Sequence, residues 1–343
     1  MNIYLTSCET GPHASRYHEG MLAALWTSSS RQHALVDCPE KADLIFIGNL
    51  CEENWYGSLR RHPVIGRYPN KCFIISEEDR PRPLVRGIYS STSQKTFFRS
   101  RMRTGTFGLH HSDFQNPFVQ AYTDHAWEKP KEYLASFMGR VSHSVRVRIF
   151  NLRFRRSDWI VRDTSHFQVF THDTAGKAPQ QKNFFDALEK SKFAICPRGL
   201  GSGSVRLYEA MKMGVAPVIV ADDWIPPKGP RWDEFAIFVR ERDVARLEDI
   251  ISSQEYRYKS MGRLAALAYA DYFGPRGYFD YLVAQATAIM NSQLIPESVH
   301  WRARNLVLVY WKARQRLQRE FQKRRKPRQA EANVPIDAGV CAK

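Results

Sequence analysis

Short continuous apolar runs alternate with longer amphipathic stretches along most of the chain. Ile3 to Thr6, Ala42 to Ile47 (ADLIFI) and Cys72 to Ser76 (CFIIS) are strand-length apolar segments. Strands buried on both faces read this way, and the stretches between them predict helices covering a parallel sheet. A polar loop, Ser7 to Pro12, leads into a predicted helix from about His13 to Trp26. Residues 79 to 117 are rich in Pro, Arg, Ser, Thr and Gly, with further strands expected near Gly87–Ser90 and Thr96–Phe98. Long irregular stretches in such folds are often functional.

The alternation then restarts. Strands are predicted at Tyr133–Met138, Phe167–Phe170, Phe193–Cys196 and Ala216–Val220, with helices over Ser144–Phe154, Asn183–Lys190 and Val205–Met213. The two halves share a pattern but no sequence repeat. Lys129-Pro130-Lys131 marks the crossing, so two α/β domains are expected, residues 1–128 and 129–300.

Composition agrees with this picture. The 343 residues are 43% hydrophobic and 25% charged, as in a globular chain with room for two cores. The start, MNIYLTSCET, has no basic and apolar signal pattern, and no run reaches the about 18 apolar residues that span a bilayer. The expectation is a cytoplasmic protein. Cys8, Cys38, Cys51, Cys72, Cys196 and Cys341 form no C-x-x-C pair, so reduced thiols rather than a zinc site are expected.

The formal charge of +16 is concentrated at one end. Between Arg302 and Arg328 there are eleven Lys/Arg and one acid, Glu320. Leu306, Tyr310, Ala313, Leu317 and Phe321 fall close to one helical stripe, so residues 301–328 read as a basic amphipathic helix. Such a helix suits peripheral contact with an anionic membrane surface. The other readings are a helix packed back on the protein and nonspecific nucleic-acid contact; no specific nucleic acid is expected. Residues 329–343 have the composition of a disordered tail.

The candidate chemistry lies between Phe193 and Pro227. A buried strand ends at Cys196 and a loop of Pro197, Arg198, Gly199, Gly201 and Gly203 follows. Ser204 is a suitable N-cap for the helix Val205–Met213, and Gly214 stops it. Glycines let backbone N–H groups approach a ligand, and a helix amino terminus adds unpaired donors. The segment therefore predicts a phosphate site, with Arg198, Gly199 and Ser202 as loop candidates. Arg206 and Glu209, three residues apart, share a helical face. The guanidinium can reach a diphosphate and the carboxylate can accept from ribose hydroxyls. Val205, Tyr208 and Met211 are expected on a neighbouring packing face. The same pattern also fits an ordinary glycine turn with a surface ion pair worth less than about 1 kcal/mol. It is neither a P-loop nor a G-x-G-x-x-G dinucleotide site.

These residues resemble the exostosin family, glycosyltransferase family 47. The family's strand and loop read here as Phe193-Ala194-Ile195-Cys196-Pro197-Arg198-Gly199, its helix start as Ser204-Val205-Arg206-Leu207-Tyr208-Glu209-Ala210, and its next strand as Gly214-Val215-Ala216-Pro217-Val218-Ile219 followed by Trp224-Ile225-Pro226. Tyr133 to Arg140 is similar to the strand-Gly-Lys/Arg element opening its nucleotide domain. Tyr17 to Leu25 and Asp37 to Phe46 resemble its early helix and strand. The resemblance covers roughly residues 1 to 275 and is that of a bacterial-type, single-module member. It implies a GT-B fold, two Rossmann-like domains facing a central cleft, and inverting transfer from a UDP-sugar to a glycan or lipid-linked saccharide, without a cofactor or essential metal. By matching position it implies that Gly139, Arg140, Ser204, Arg206 and Glu209 hold the donor. Val205 stands where the family often has an aromatic.

Inverting transfer needs a base for the acceptor hydroxyl. Candidates at strand ends are Glu9, His13, Glu77, Glu78 and Asp79, with the Glu77–Asp79 cluster preferred and Glu78 and Asp79 foremost. Asp222-Asp223 is expected in a turn or cap rather than a magnesium site. The competing functions are a catalytically silent nucleotide- or sugar-binding scaffold and a basic nucleic-acid-binding protein.

Overall fold

The structure, a computed structural model, describes residues 1–8, 17–49, 56–81, 83–95, 97–107, 115–167 and 173–325. Met1–Trp301 form one compact unit; the helix Arg304–Arg325 belongs to a second and is treated on its own.

Two parallel sheets organise the first unit. In chain order the strands are β1 (Asn2–Ser7), β2 (Ala34–Leu35), β3 (Leu44–Asn49), β4 (Cys72–Ser76), β5 (Gly87–Tyr89) and β6 (Met102–Thr104), then β7 (Tyr133–Gly139), β8 (Trp159–Asp163), β9 (Ser191–Pro197), β10 (Ala216–Val220) and β11 (Ile237–Phe238). The first sheet runs β2-β1-β3-β4-β5-β6 and the second β11-β10-β9-β7-β8. Every neighbouring pair is parallel. This is the two-sheet α/β architecture that the alternating pattern predicted, in keeping with the GT-B type that the resemblance implies. Central strands are buried throughout: β4 and β10 are buried at all five positions.

Strand order reverses beside the first strand of each sheet, between β1 and β3 and between β7 and β9. Ligands of open α/β sheets bind at the strand carboxyl ends at such reversals. In the second sheet that point is framed by Gly139, the last residue of β7, and Pro197, the last of β9.

The halves are joined at several places. Thr92–Lys95 lies along Asp223–Ile225: the Gln94 N–H donates to the Asp223 carbonyl at 2.8 Å and the Ile225 N–H to that of Thr92 at 3.2 Å. In addition, the helix Tyr278–Ser292 returns from the second half to cover the first sheet. Phe279 meets Phe46 edge-on at 5.9 Å, and the Tyr281 hydroxyl donates to the Thr104 carbonyl at 2.7 Å. The next turn carries Glu297, which is 2% exposed and accepts from the Nε of Arg101 at 3.1 Å and the backbone N–H of Arg86 at 3.2 Å.

Several predicted elements shift. The strand expected at Thr96–Phe98 forms instead at β6; Thr96 is outside the described residues and Phe98 is in no strand. Arginines made β6 look like surface, but Arg103 is buried with carbonyl partners on Arg99 and Met102, and Arg101 with Glu297. Phe167 is not in a strand, residues 168–170 are outside the described ones, and β8 takes that role earlier. The helix expected at Asn183–Lys190 begins at Thr174, capped by Asp173, whose Oδ1 accepts from the Gly176 N–H at 2.9 Å. The helix expected to reach Phe154 ends at Phe150, and Phe154 turns to stack on Trp159 at 4.0 Å. The first helix is described from Tyr17 to Ser28; residues 13–16 are outside the described ones. So are Cys51, Cys341 and the tail 329–343. Cys8, Cys72 and Cys196 are buried, and burial pushes the Cys72 and Cys196 thiols up to about 12, leaving those two unreactive.

Removing one partner of a buried ion pair strands the other charge, at a cost of about 3–5 kcal/mol. Glu297→Ala should lose this much unfolding free energy in urea titration. Leu306→Ala, a control at a position 74% exposed, should change it by less than about 0.5 kcal/mol.

Candidate functional site

The helix Val205–Met213 forms where the sequence places it. Its carboxyl end is fixed by Gly214, whose φ of 72° is the left-handed conformation that stops a helix. A side chain there would also collide with the ring of Trp127, 2.1 Å from an added Cβ. Ser204 occupies the N-cap in extended conformation, but its side chain makes no capping bond. The expected packing face is only partly right. Tyr208 and Met211 are buried together with Leu207 and Ala210, while Val205 is 39% exposed. Exposure at Val205 places the helix's first turn beside open space instead of core.

That space is a cleft of about 270 Å³ lined from both halves of the chain. Met21 and Leu25 of the first helix and Phe107 form one wall; Tyr208, Glu209 and Lys212 form the other. Glu209 thus faces the cleft, as its predicted role requires. A second hollow of about 470 Å³, bounded by Ile237, Ile250, Arg257 and Met261, touches none of the predicted site residues.

Arg206 points back toward β7. Its guanidinium donates to the Met138 carbonyl and lies over the rings of Phe137 at 5.1 Å and Phe184 at 5.5 Å. An added Cβ on Gly139 would approach it to 3.1 Å, so glycine at the end of β7 leaves room for the guanidinium. Its buried Nε has no partner among the described residues. Burial lowers the Arg206 pKa, while the Cys196 and Glu209 side chains oppose the shift. The structure therefore brings Gly139, Arg206 and Glu209 to one corner.

The other candidates divide. Arg140 is exposed beside Gly139. Arg198 is tied sideways, its Nη1 3.5 Å from Asp223 Oδ2 and 3.8 Å from Glu241 Oε1. Gly199 lies against Arg146 and Ser142. Ser202 is 4% exposed, and its hydroxyl donates across the halves to the Thr92 carbonyl at 2.7 Å. A serine pictured on phosphate thus anchors the loop to the opposite half. Asp222 and Asp223 sit in a turn; Asp222 Oδ1 accepts from the Glu241 N–H at 2.7 Å and Asp223 pairs with Lys95 at 2.7 Å. Among the described residues no group of three or more His, Cys, Asp or Glu is placed to hold a metal.

One residue was missed. Arg146, 9% exposed, donates through Nε to the Arg198 carbonyl at 2.9 Å, through Nη2 to that of Pro197 at 3.1 Å and through Nη1 to that of Arg140 at 3.2 Å. It clamps the loops leaving β7 and β9. Burial pushes it down to about 9, with Arg206 adding to the shift and Asp79 opposing it. The alternation in Ser144-Val145-Arg146-Val147-Arg148 gives no sign that the first arginine is buried and the second exposed.

Among the base candidates, Glu9 and His13 are outside the described residues. Glu77 is buried, Glu78 accepts from the Tyr56 hydroxyl at 2.6 Å, and Asp79 is exposed. Asp79 lies against the glycine loop of the other half. An added Cβ on Gly201 would come within 2.6 Å of its Oδ1, and one on Gly203 within 2.6 Å of the Ser90 carbonyl. The loop glycines are therefore needed for contact between halves.

Each of the three carbonyls loses its donor in Arg146→Ala, and a buried unpaired acceptor costs about 1–3 kcal/mol. Arg146→Ala should lower unfolding free energy by about 3 kcal/mol in denaturant titration. Arg146→Lys, with a charge but no fork of donors, should recover only part of that.

The chain is similar to known proteins over part of its length. A model of the Exostosin GT47 domain matches residues 65–254. A probable glucuronosyltransferase of Oryza sativa subsp. japonica is 42% identical over 72 residues, 20% of this chain and 17% of that protein. The probable beta-1,4-xylosyltransferase IRX10 of Arabidopsis thaliana is 38% identical over 72 residues, 20% of this chain and 18% of its own length. The Exostosin-1 homolog of Caenorhabditis elegans is 27% identical over 159 residues, 42% of each chain. The matched stretches thus span less than a fifth of the two plant relatives.

Proposed function

The chain belongs to the exostosin GT47 family, and from that premise we propose that it is an inverting glycosyltransferase, moving a sugar from a nucleoside diphosphate, UDP, to a saccharide acceptor. The observation that carries the reading is the pairing on one helix of Glu209, facing the cleft, with Arg206, anchored at the end of β7. The relatives' descriptions as glucuronosyl- and xylosyltransferases support the reaction class.

In this reading the nucleoside occupies the cleft, where Glu209 accepts hydrogen bonds from the ribose hydroxyls and Phe107 and Tyr208 offer apolar walls. The diphosphate lies at the amino terminus of Val205–Met213, beside Gly139 and Arg140. The unpaired N–H groups of that first turn and the Arg206 charge stabilise it as it leaves. Protein cations, rather than a metal ion, meet the leaving charge. Asp79, carried by the first half to the glycine loop, is the base. The acceptor hydroxyl passes its proton to the Asp79 carboxylate as its oxygen bonds to the anomeric carbon from the face opposite the diphosphate. The bond from that carbon to the phosphate oxygen breaks, and its electron pair departs with the diphosphate.

Glu209→Ala should weaken UDP binding in calorimetric titration by at least about tenfold, about 1.4 kcal/mol, with the melting temperature held. Equal affinity in the variant would remove Glu209 from the site. Asp79→Asn should lower transfer by about a hundredfold or more while UDP affinity stays. A panel of nucleotide sugars that all bind and none of which is transferred would favour a silent scaffold instead.

A further inference from the structure

The helix Arg304–Arg325 is 22 residues long. At 100° per residue, Leu306, Tyr310, Ala313 and Leu317 fall on one side within about 60° of arc. There Leu306 is 74%, Tyr310 58% and Leu317 61% exposed, and Val309 widens the stripe at 65%. Apolar side chains exposed in one continuous stripe are surface in need of a cover.

The charge says what the cover is. The helix holds eight Lys/Arg and one acid, Glu320. Arg314 lies to one side of the exposed stripe and Lys312 and Arg316 to the other, so cations border the apolar strip on both edges. A second copy of the helix would match the apolar stripe but set these cations against their like. A nucleic acid would neutralise the cations and leave the stripe in water. An anionic lipid surface answers both features, with apolar side chains below the headgroups and guanidinium and ammonium groups at the phosphates. No helix among the described residues is long and apolar enough to cross a membrane, so the contact lies in the plane of the surface. We propose that Arg304–Arg325 docks on an anionic lipid surface through the Leu306, Tyr310, Ala313 and Leu317 stripe.

The test uses the full chain and two vesicle types, phosphatidylcholine alone and phosphatidylcholine containing phosphatidylserine. Sedimentation should show binding at least about tenfold tighter to the second, weakening as salt rises. Leu306→Glu combined with Leu317→Glu should reduce that binding at least about tenfold. Unchanged binding by the double variant, or no binding by the parent chain, overturns the proposal. So does salt-sensitive binding to an oligonucleotide without vesicle binding, or a concentration-dependent dimer that the double variant abolishes while vesicles have no effect. Because the two glutamates could disturb the helix itself, a second measurement keeps the parent stripe almost intact. An environment-sensitive dye on Tyr310→Cys should shift to the blue with phosphatidylserine vesicles and not with phosphatidylcholine; no shift sinks the idea.

Discussion

The guanidinium of Arg146 holds the carboxyl edge of the second sheet in shape. A parallel strand ends by releasing its last carbonyls from the ladder, and two such ends lie side by side where the strand order reverses. Water could satisfy those carbonyls, but the loops would then be free to splay. Arg146 instead gathers the carbonyls of Pro197, Arg198 and Arg140 onto one rigid fork. The fork's planarity fixes the spacing of the two loops. Gly139, the glycine loop and the start of the Val205–Met213 helix inherit their positions from it. A buried cation beside the second cation, Arg206, also makes this corner positive. A diphosphate arriving there would meet charge already in place, with little to reorganise.

The site is assembled by contact between halves as much as within one. Ser202 reaches the Thr92 carbonyl, the Arg80 Nε lies 3.4 Å from the Leu200 carbonyl, and Asp79 abuts Gly201. In the proposed reaction the loop that meets the donor is therefore also the loop that meets the acid cluster. Such an arrangement would couple the position of the leaving group to that of the proposed base. A shift of one half relative to the other would move both partners of the reaction at once.

What could be read from the sequence follows from how each element is stabilised. β4, β10 and the helix Val205–Met213 have the predicted bounds to the residue, because unbroken apolar runs and a stop glycine leave no competing register. β2 and β11, two residues each, carry too little pattern to see. β6 and Arg146 were hidden for one shared reason. Arginine in a sequence reads as surface, and only tertiary structure reveals the carbonyls or carboxylate that let it be buried. The meeting of Gly139, Arg206 and Glu209 at one corner was legible because strand end, glycine loop, helix start and carboxylate carry a recognisable pattern. The roles of Arg198 and Ser202 were not, since their partners, Asp223 and Thr92, come from distant segments.

The returning helix Tyr278–Ser292 has a consequence for biogenesis. Phe46 and β5 in the first sheet are covered by a segment made more than a hundred residues after that sheet is complete. Domains of a growing chain usually close one after another from the amino end. Here the ribosome must release almost the whole of Met1–Trp301 before the first sheet can be sealed. Until then an apolar surface stands open, a natural landing place for a chaperone. Truncation within the return segment would leave that surface open for good, so an aborted chain would be recognised as unfinished by its exposed first half rather than by its missing second.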